Sequence, residues 1–97
     1  MQKEVDTWIK SKTGGYWPPL SMLARLTEET GELARILNHM YGEKNKKPSE
    51  IHVSLEEEVG DLLFTIICIA NAFDIDLSSA YEKTVKKAID RDSNRFM

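Results

Sequence analysis

Residues 62–70, Leu-Leu-Phe-Thr-Ile-Ile-Cys-Ile-Ala, form the longest nearly apolar run in the chain and restrict its folding more than any other feature. The run lies inside a helix read from Ser54, where Ser54-x-x-Glu57 is a capping-box pattern, to about Phe73. A surface helix carries a polar face, whereas this one is apolar on every side, so other elements have to surround it. Spanning a bilayer takes roughly 20 apolar residues, and no membrane span is expected. The chain has 97 residues, and a chain of that size buries only about two-thirds of the surface its unfolded form exposes. Four helices from so short a chain barely enclose a central one. A second copy is therefore expected to supply the missing cover, as in an interdigitated dimer of helical hairpins.

The remaining sequence reads as three further helices. Residues 1–12 place Val5, Trp8 and Ile9 on one side, and Gly14-Gly15 breaks the run. Pro18-Pro19 stands before a second helix over residues 20–41, where Met22, Leu26, Leu33, Ile36 and Met40 fall at helical spacing ahead of Gly42. Residues 43–53 are polar and contain Pro48, which predicts a surface loop. Asp74-Ile75-Asp76 predicts a turn, followed by a fourth helix from Leu77 to Arg91 that buries Leu77, Tyr81, Val85, Ala88 and Ile89. No strand alternation of useful length appears, so the expected class is all-α, in a single domain over residues 1–97. A chain 41% hydrophobic and 30% charged is globular rather than disordered. Its 13 Lys and Arg against 16 Asp and Glu leave a net charge of −3, which argues against a nucleic-acid-binding surface. Cys68 has no partner for an internal disulfide, which points to a reducing, cytoplasmic compartment. The mixed charges of Met-Gln-Lys-Glu-Val-Asp predict no secretory signal.

The acids of the second and third helices carry the functional signal. The stripe Met22, Leu26, Glu29, Leu33, Ile36, Met40 steps by four and three residues, and Glu29 interrupts it. Glu32 lies one turn on from Glu29 and points the same general way. The stripe Glu58, Asp61, Thr65, Cys68, Ala72 has the same stepping and runs into the apolar segment. Isolated carboxylates against packed surface take up protons unless a cation offsets their repulsion, and all-oxygen ligands suit Mg²⁺ or Mn²⁺. A competing reading pairs Arg25 with Glu28 or Glu29 and Arg35 with Glu32 along a solvated surface, and assigns Glu56, Glu57 and Glu58 to the helix dipole. A ferritin-like di-iron site is excluded, because Ile36 and Ser49 stand three residues before His39 and His52 where glutamates would be needed. At this level the chain is either a metal-dependent enzyme or a non-catalytic all-α metal-binding or interaction dimer.

The acids spell Glu28-Glu29-x-x-Glu32, then residues 33–57, then Glu58-x-x-Asp61. This resembles the signature of the MazG-like nucleoside triphosphate pyrophosphohydrolases. Trp17-Pro18-Pro19, Gly31-Glu32-Leu33, the run from Glu58 to Phe64 and the tail Arg91-Asp92-x-x-Arg95-Phe96 extend the likeness over most of the chain. A single unit, rather than two in tandem, makes it similar to the short MazG-like type. The resemblance implies a four-helix MazG fold completed by an intertwined homodimer, which can pair again into a tetramer. It also implies Glu29, Glu32, Glu58 and Asp61 as Mg²⁺ ligands, and Glu28 as a supporting acid or water-activating base. The implied reaction takes a nucleoside triphosphate to monophosphate and pyrophosphate. Lys83, Lys87, Arg91 and Arg95 are then candidates to hold the β and γ phosphates, against the simpler reading of a solvated helix face. Trp17 and Tyr16 are candidates to stack on a base, although Trp8 and Trp17 also read as small-domain core. His39 and His52 read as surface residues and Cys68 as a buried small hydrophobe.

Overall fold

The computed structural model describes residues 1–12, 14–41 and 48–96, with side chains described for 1–12, 14–40 and 54–92. The described residues form four helices, α1 (Gln2–Lys10), α2 (Pro19–Tyr41), α3 (Pro48–Ala72) and α4 (Leu77–Phe96), and no strand. The all-α class read from the sequence therefore holds.

Two boundaries differ from the sequence reading. Helix α3 begins at Pro48, not Ser54, so residues 48–53 of the expected loop are helical and residues 43–47 lie outside the described set. Proline suits a first helical position, where the missing N–H had no acceptor anyway, and its ring presets the backbone angle. The Ser54 to Glu57 pattern is consequently interior helix, not a cap. Helix α4 runs on to Phe96 rather than stopping at Arg91, since no Gly or Pro follows to break it.

Each reversal has a local cause. Gly14 and Gly15 sit at φ +96° and +64°, in the left-handed region that glycine enters without a Cβ penalty. The Pro18 carbonyl accepts from the N–H groups of Ser21 and Met22 at 2.9 and 3.1 Å and opens α2. After α3, Ile75 N–H bonds to the Ala70 carbonyl at 2.8 Å and Asp74 N–H to the Asn71 carbonyl at 3.2 Å, a Schellman closure with Asp74 at φ 56°. Asp76 then caps α4 by accepting from Ser78 N–H at 3.0 Å. The turn turns α4 by 112° from the line of α3.

Helices α2 and α3 pack along their lengths and α1 lies on α3, whereas α4 makes no comparable contact. Among the described residues the buried set is small: Met22, Ile67, Ala70, Thr65, Glu29 and Glu58. The Cα radius of gyration is 17.0 Å, against about 12.5 Å for a compact chain of this length. Val59, Leu63, Phe64 and Ile66 of α3 keep 38–50% of their surface exposed, so one chain leaves much of its apolar helix uncovered. On α4, Tyr81 and Ile89 are exposed rather than buried, because among the described residues no helix packs along that stripe as α2 packs on α3, while Leu77, Val85 and Ala88 are half-buried. No single helix among the described residues is long and apolar enough to cross a membrane.

Polar contacts fasten α1 to the α3–α4 turn. Gln2 Nε2 donates to Asn71 Oδ1 at 2.9 Å and to the Ile75 carbonyl at 2.7 Å, while Leu77 N–H donates to Gln2 Oε1 at 2.7 Å. Asn71 Nδ2 donates to the Gln2 carbonyl and to the Tyr16 hydroxyl, both at 3.0 Å. Tyr16 in turn donates to Asp6 Oδ1 at 2.7 Å. Burial and the Asp6 carboxylate push the Tyr16 hydroxyl up to about 12, so it remains a donor at all physiological pH. Asn71→Ala removes three of these bonds and is expected to lower stability by about 1–3 kcal/mol. Urea unfolding measures this, and an unchanged midpoint would show that the clasp contributes nothing.

Candidate active site

Met22 and Thr65 line one cavity while Glu29 and Glu58 meet one to two turns away, so α2 and α3 run antiparallel and bring the two acids opposite each other. Both are buried, at 6% exposure. Glu32, one turn further along α2, is exposed, and carboxylate oxygens of Glu29, Glu32 and Glu58 all lie within 4.8 Å of one another. Arg25 Nε donates to Glu29 Oε1 at 2.7 Å. Glu29 Oε2 and Glu58 Oε1 are buried with no hydrogen-bond partner.

The electrostatics follow from that crowding. Glu58 is pushed up to about 8, first by the Glu29 carboxylate beside it, then by burial, with the Glu32 carboxylate adding to the effect of Glu29. Glu29 moves the other way, because its neighbour Glu58 takes up the proton and Arg25 favours the Glu29 charge. Without a cation the pair shares one proton, since two adjacent buried carboxylates resist double ionisation. Two orphaned buried oxygens and a third carboxylate within reach make an all-oxygen donor set that fits a hard divalent ion.

The sequence-derived residues divide as follows. Glu29, Glu32 and Glu58 come together. Asp61, one turn along α3 from Glu58, is exposed and stands outside that group. Glu28 is exposed and lies about 100° around α2 from Glu29. The Arg25–Glu29 pair of the solvated-surface reading does form, yet its acid end is only 7% exposed while the arginine is 43% exposed. Among the described residues no ion pair joins Arg35 to Glu32. Lys83, Lys87 and Arg91 are exposed on α4, and the described ion pairs link none of them to the acids; Arg91 meets Asp92 at 3.5 Å. The side chains of Arg95 and His52 lie outside the described set, and His39 is half-buried. Cys68 is half-buried and burial pushes its thiol up, as befits an inert side chain.

Beside the acids a cavity of about 490 Å³ opens between α1, the α1–α2 connection, α2 and α3. Trp8, Trp17, Phe64 and Met22 wall it, and Arg25 and Thr65 are among its polar lining. Trp8 meets Phe64 edge-on with centroids 6.3 Å apart. Trp8 and Trp17 are 52% and 56% exposed, so they are cavity walls, not core. Each carries a cation over its face: Lys12 Nζ is 5.1 Å from the Trp8 centroid and the Arg25 guanidinium 5.8 Å from that of Trp17. Sequence reasoning missed Lys12 and the site role of Arg25. The signals in the sequence were the i,i+4 spacings of Arg25 to Glu29 and of Trp8 to Lys12.

Residues 18–96, which hold all these acids, match the MazG nucleotide pyrophosphohydrolase domain. The chain belongs to the MazG nucleotide pyrophosphohydrolase family. A Bacillus subtilis (strain 168) relative, the uncharacterised protein YpjD, is 51% identical over 96 residues, 99% of this chain and 86% of the relative. Two crystal structures are similar throughout. One, of a Bacillus-conserved MazG protein that is a nucleotide pyrophosphohydrolase, is 52% identical with a TM-score of 0.75 over 90% of this chain and 83% of that one. The other, of YpjD from Bacillus subtilis, is 53% identical with a TM-score of 0.78 over 89% and 88% of the two chains. Membership decides between the two functional readings: this MazG domain is a pyrophosphohydrolase enzyme, of a family that uses a divalent metal.

The buried acid pair makes a pH prediction for the metal-free MazG protein. In the unfolded chain Glu58 returns to about 4.5, while folding holds it near 8. The folded state therefore binds the extra proton between those values, and stability, full below about pH 4.5, is lost as pH rises toward 8. The shift of Glu29 acts below this window. The melting temperature is expected to fall from pH 5 to pH 8 without metal, and Glu58→Gln should flatten the slope. An equally steep fall in that variant would place its origin elsewhere.

Proposed function

We propose that this chain hydrolyses (deoxy)nucleoside triphosphates to the monophosphate and pyrophosphate with Mg²⁺, for which Mn²⁺ can substitute, as a cytoplasmic enzyme of nucleotide-pool control or house-cleaning. The supporting observation is the pair of buried, unpartnered oxygens on Glu29 and Glu58, one turn from an aromatic cavity. In this reading Glu29, Glu32 and Glu58 hold the ion, with Asp61 as the fourth ligand carried over from the family motif. When bound, the ion offsets the charge of a triphosphate against these acids and polarises its α-phosphorus toward water. Glu28 serves as supporting acid or as the base that takes the water's proton. Trp17, with Trp8 and Phe64, offers ring faces to the nucleobase. Nucleic acid is not a substrate in this reading, and no membrane is involved.

The whole chain, residues 1–97, acts as one domain, and two copies form the working unit, which can pair again into a tetramer. The open shape and the uncovered Leu63, Phe64 and Ile66 support a homodimer, because exposed apolar area on this scale is removed from water by association. In that assembly Lys83, Lys87, Arg91 and Arg95 are the proposed partners of the β and γ phosphates.

Hydrolysis in ¹⁸O-labelled water of a panel of nucleoside triphosphates tests the reaction. The label is expected in the nucleoside monophosphate, with pyrophosphate as the other product and no turnover after chelation. Nucleoside diphosphate and orthophosphate would refute attack at the α-phosphorus. Glu29→Gln is expected to lose most turnover and most of the rise in melting temperature that Mg²⁺ produces. Normal turnover in that variant would remove Glu29 from the site. Light scattering at micromolar concentration should give at least twice the mass of one chain, and a folded monomer would overturn the two-chain site.

A further inference from the structure

Among the described residues, Arg25 touches both the acid cluster and the cavity wall. Its Nε donates to Glu29 Oε1 at 2.7 Å, and its guanidinium lies 5.8 Å from the centre of the Trp17 ring. The contact with Glu29 is one-sided: Oε1 is engaged, while Oε2 stays buried and unpartnered. An unrestrained carboxylate can take a cation through either oxygen or through both, and it can rotate between those modes. With Oε1 held by a planar donor, Oε2 is the oxygen left for a cation. The ring under the guanidinium limits the freedom of Arg25 in its turn, since stacking and a fixed fork of donors both restrict its rotamers.

Charge alone argues against such a neighbour, because a cation beside a metal ligand repels the metal. The arrangement favours binding only where the orientation it enforces outweighs that repulsion. We propose that Arg25 is a positioning residue that commits Glu29 to hold a divalent cation through Oε2 alone and ties this ligand to the Trp17 wall of the cavity. The inference rests on the carboxylate site of the proposed function, and it extends that site outward to a residue that bridges it to the ring cavity.

The test measures Mn²⁺ binding to the full chain without nucleotide, from the electron paramagnetic resonance signal of free Mn²⁺. The wild type is compared with Arg25→Met, Trp17→Leu and Glu29→Gln. The Arg25 and Trp17 side chains are largely exposed, so their replacement leaves the helix packing in place. Arg25→Met is expected to bind Mn²⁺ roughly tenfold to a hundredfold more weakly, the usual effect of losing a group that orients a ligand. Trp17→Leu should weaken binding in the same direction by a smaller factor. If Arg25 acts only through its charge, Arg25→Met binds Mn²⁺ more tightly; that result, or equal affinity, overturns the proposal. Wild-type affinity in Trp17→Leu overturns the tie to the cavity wall.

Glu29→Gln separates the two levels. Retained Mn²⁺ binding there sinks the carboxylate site itself, whereas lost binding beside an unaffected Arg25→Met sinks only the role of Arg25. In turnover assays, raising Mg²⁺ should return the kcat of Arg25→Met toward wild type with KM for nucleotide little changed. A KM that stays high at saturating Mg²⁺ would instead make Arg25 a substrate contact and overturn positioning.

Discussion

Two carboxylates facing each other across a helix hairpin, with too little water to solvate them, set the terms for the rest of this molecule. Glu29 and Glu58 occupy positions where α2 and α3 would otherwise bring apolar side chains together. Leaving two buried oxygens without partners costs the fold on the order of 1–3 kcal/mol for each group. A structural role gives no return for that cost, whereas an acid pair that captures a cation recovers it on binding. The same crowding keeps a proton on Glu58 when no cation is present. Stability and cation binding thus draw on the same few atoms.

The small core follows from the same hairpin. With acids in its middle, the α2–α3 seam buries little apolar surface of its own, and among the described residues Met22, Ile67 and Ala70 are the buried apolar ones. Helix α3 keeps its outer apolar side bare, and α4 swings away by 112° instead of folding back over it. A chain arranged in this way is stable to the extent that something else covers it. Exposed apolar side chains along α3 and α4 define where that cover has to lie.

The features legible in the sequence were those that depend on spacing along one helix. The stepping from Met22 to Met40 marked α2, and the intrusion of Glu29 into that stripe marked a buried acid. Asp76 and the acidic turn before α4 were equally local. The start of α3 was misread because Pro48-Ser49-Glu50 has a loop's composition, although proline at a first helical position is as good a beginning as any. Residues that depend on how separate elements dock were not legible. That Lys12 over Trp8 and Arg25 over Trp17 wall one cavity depends on α1 lying against α3 and on the glycine turn that leads into α2. The exposure of Glu32 and Asp61 likewise depends on the angle between two helices, which periodicity does not report. The identical stepping of the two acid stripes therefore predicted four equivalent acids where the fold makes them unequal.

The clasp that fastens α1 has a consequence for how such a chain can change over generations. Trp8 and Lys12 reach the cavity from α1 and the turn after it, and α1 is held by Gln2, Asn71 and Tyr16 at the end of the molecule away from the carboxylates. A substitution at Lys12 reshapes one wall while touching neither the clasp nor the acid pair, and one at Trp8 also alters its edge contact with Phe64 of α3. The ring wall of the cavity and the acid pair are thereby lodged in separately mutable segments. Drift in the first can proceed by small steps, while the second stays under the constraint of its crowded carboxylates.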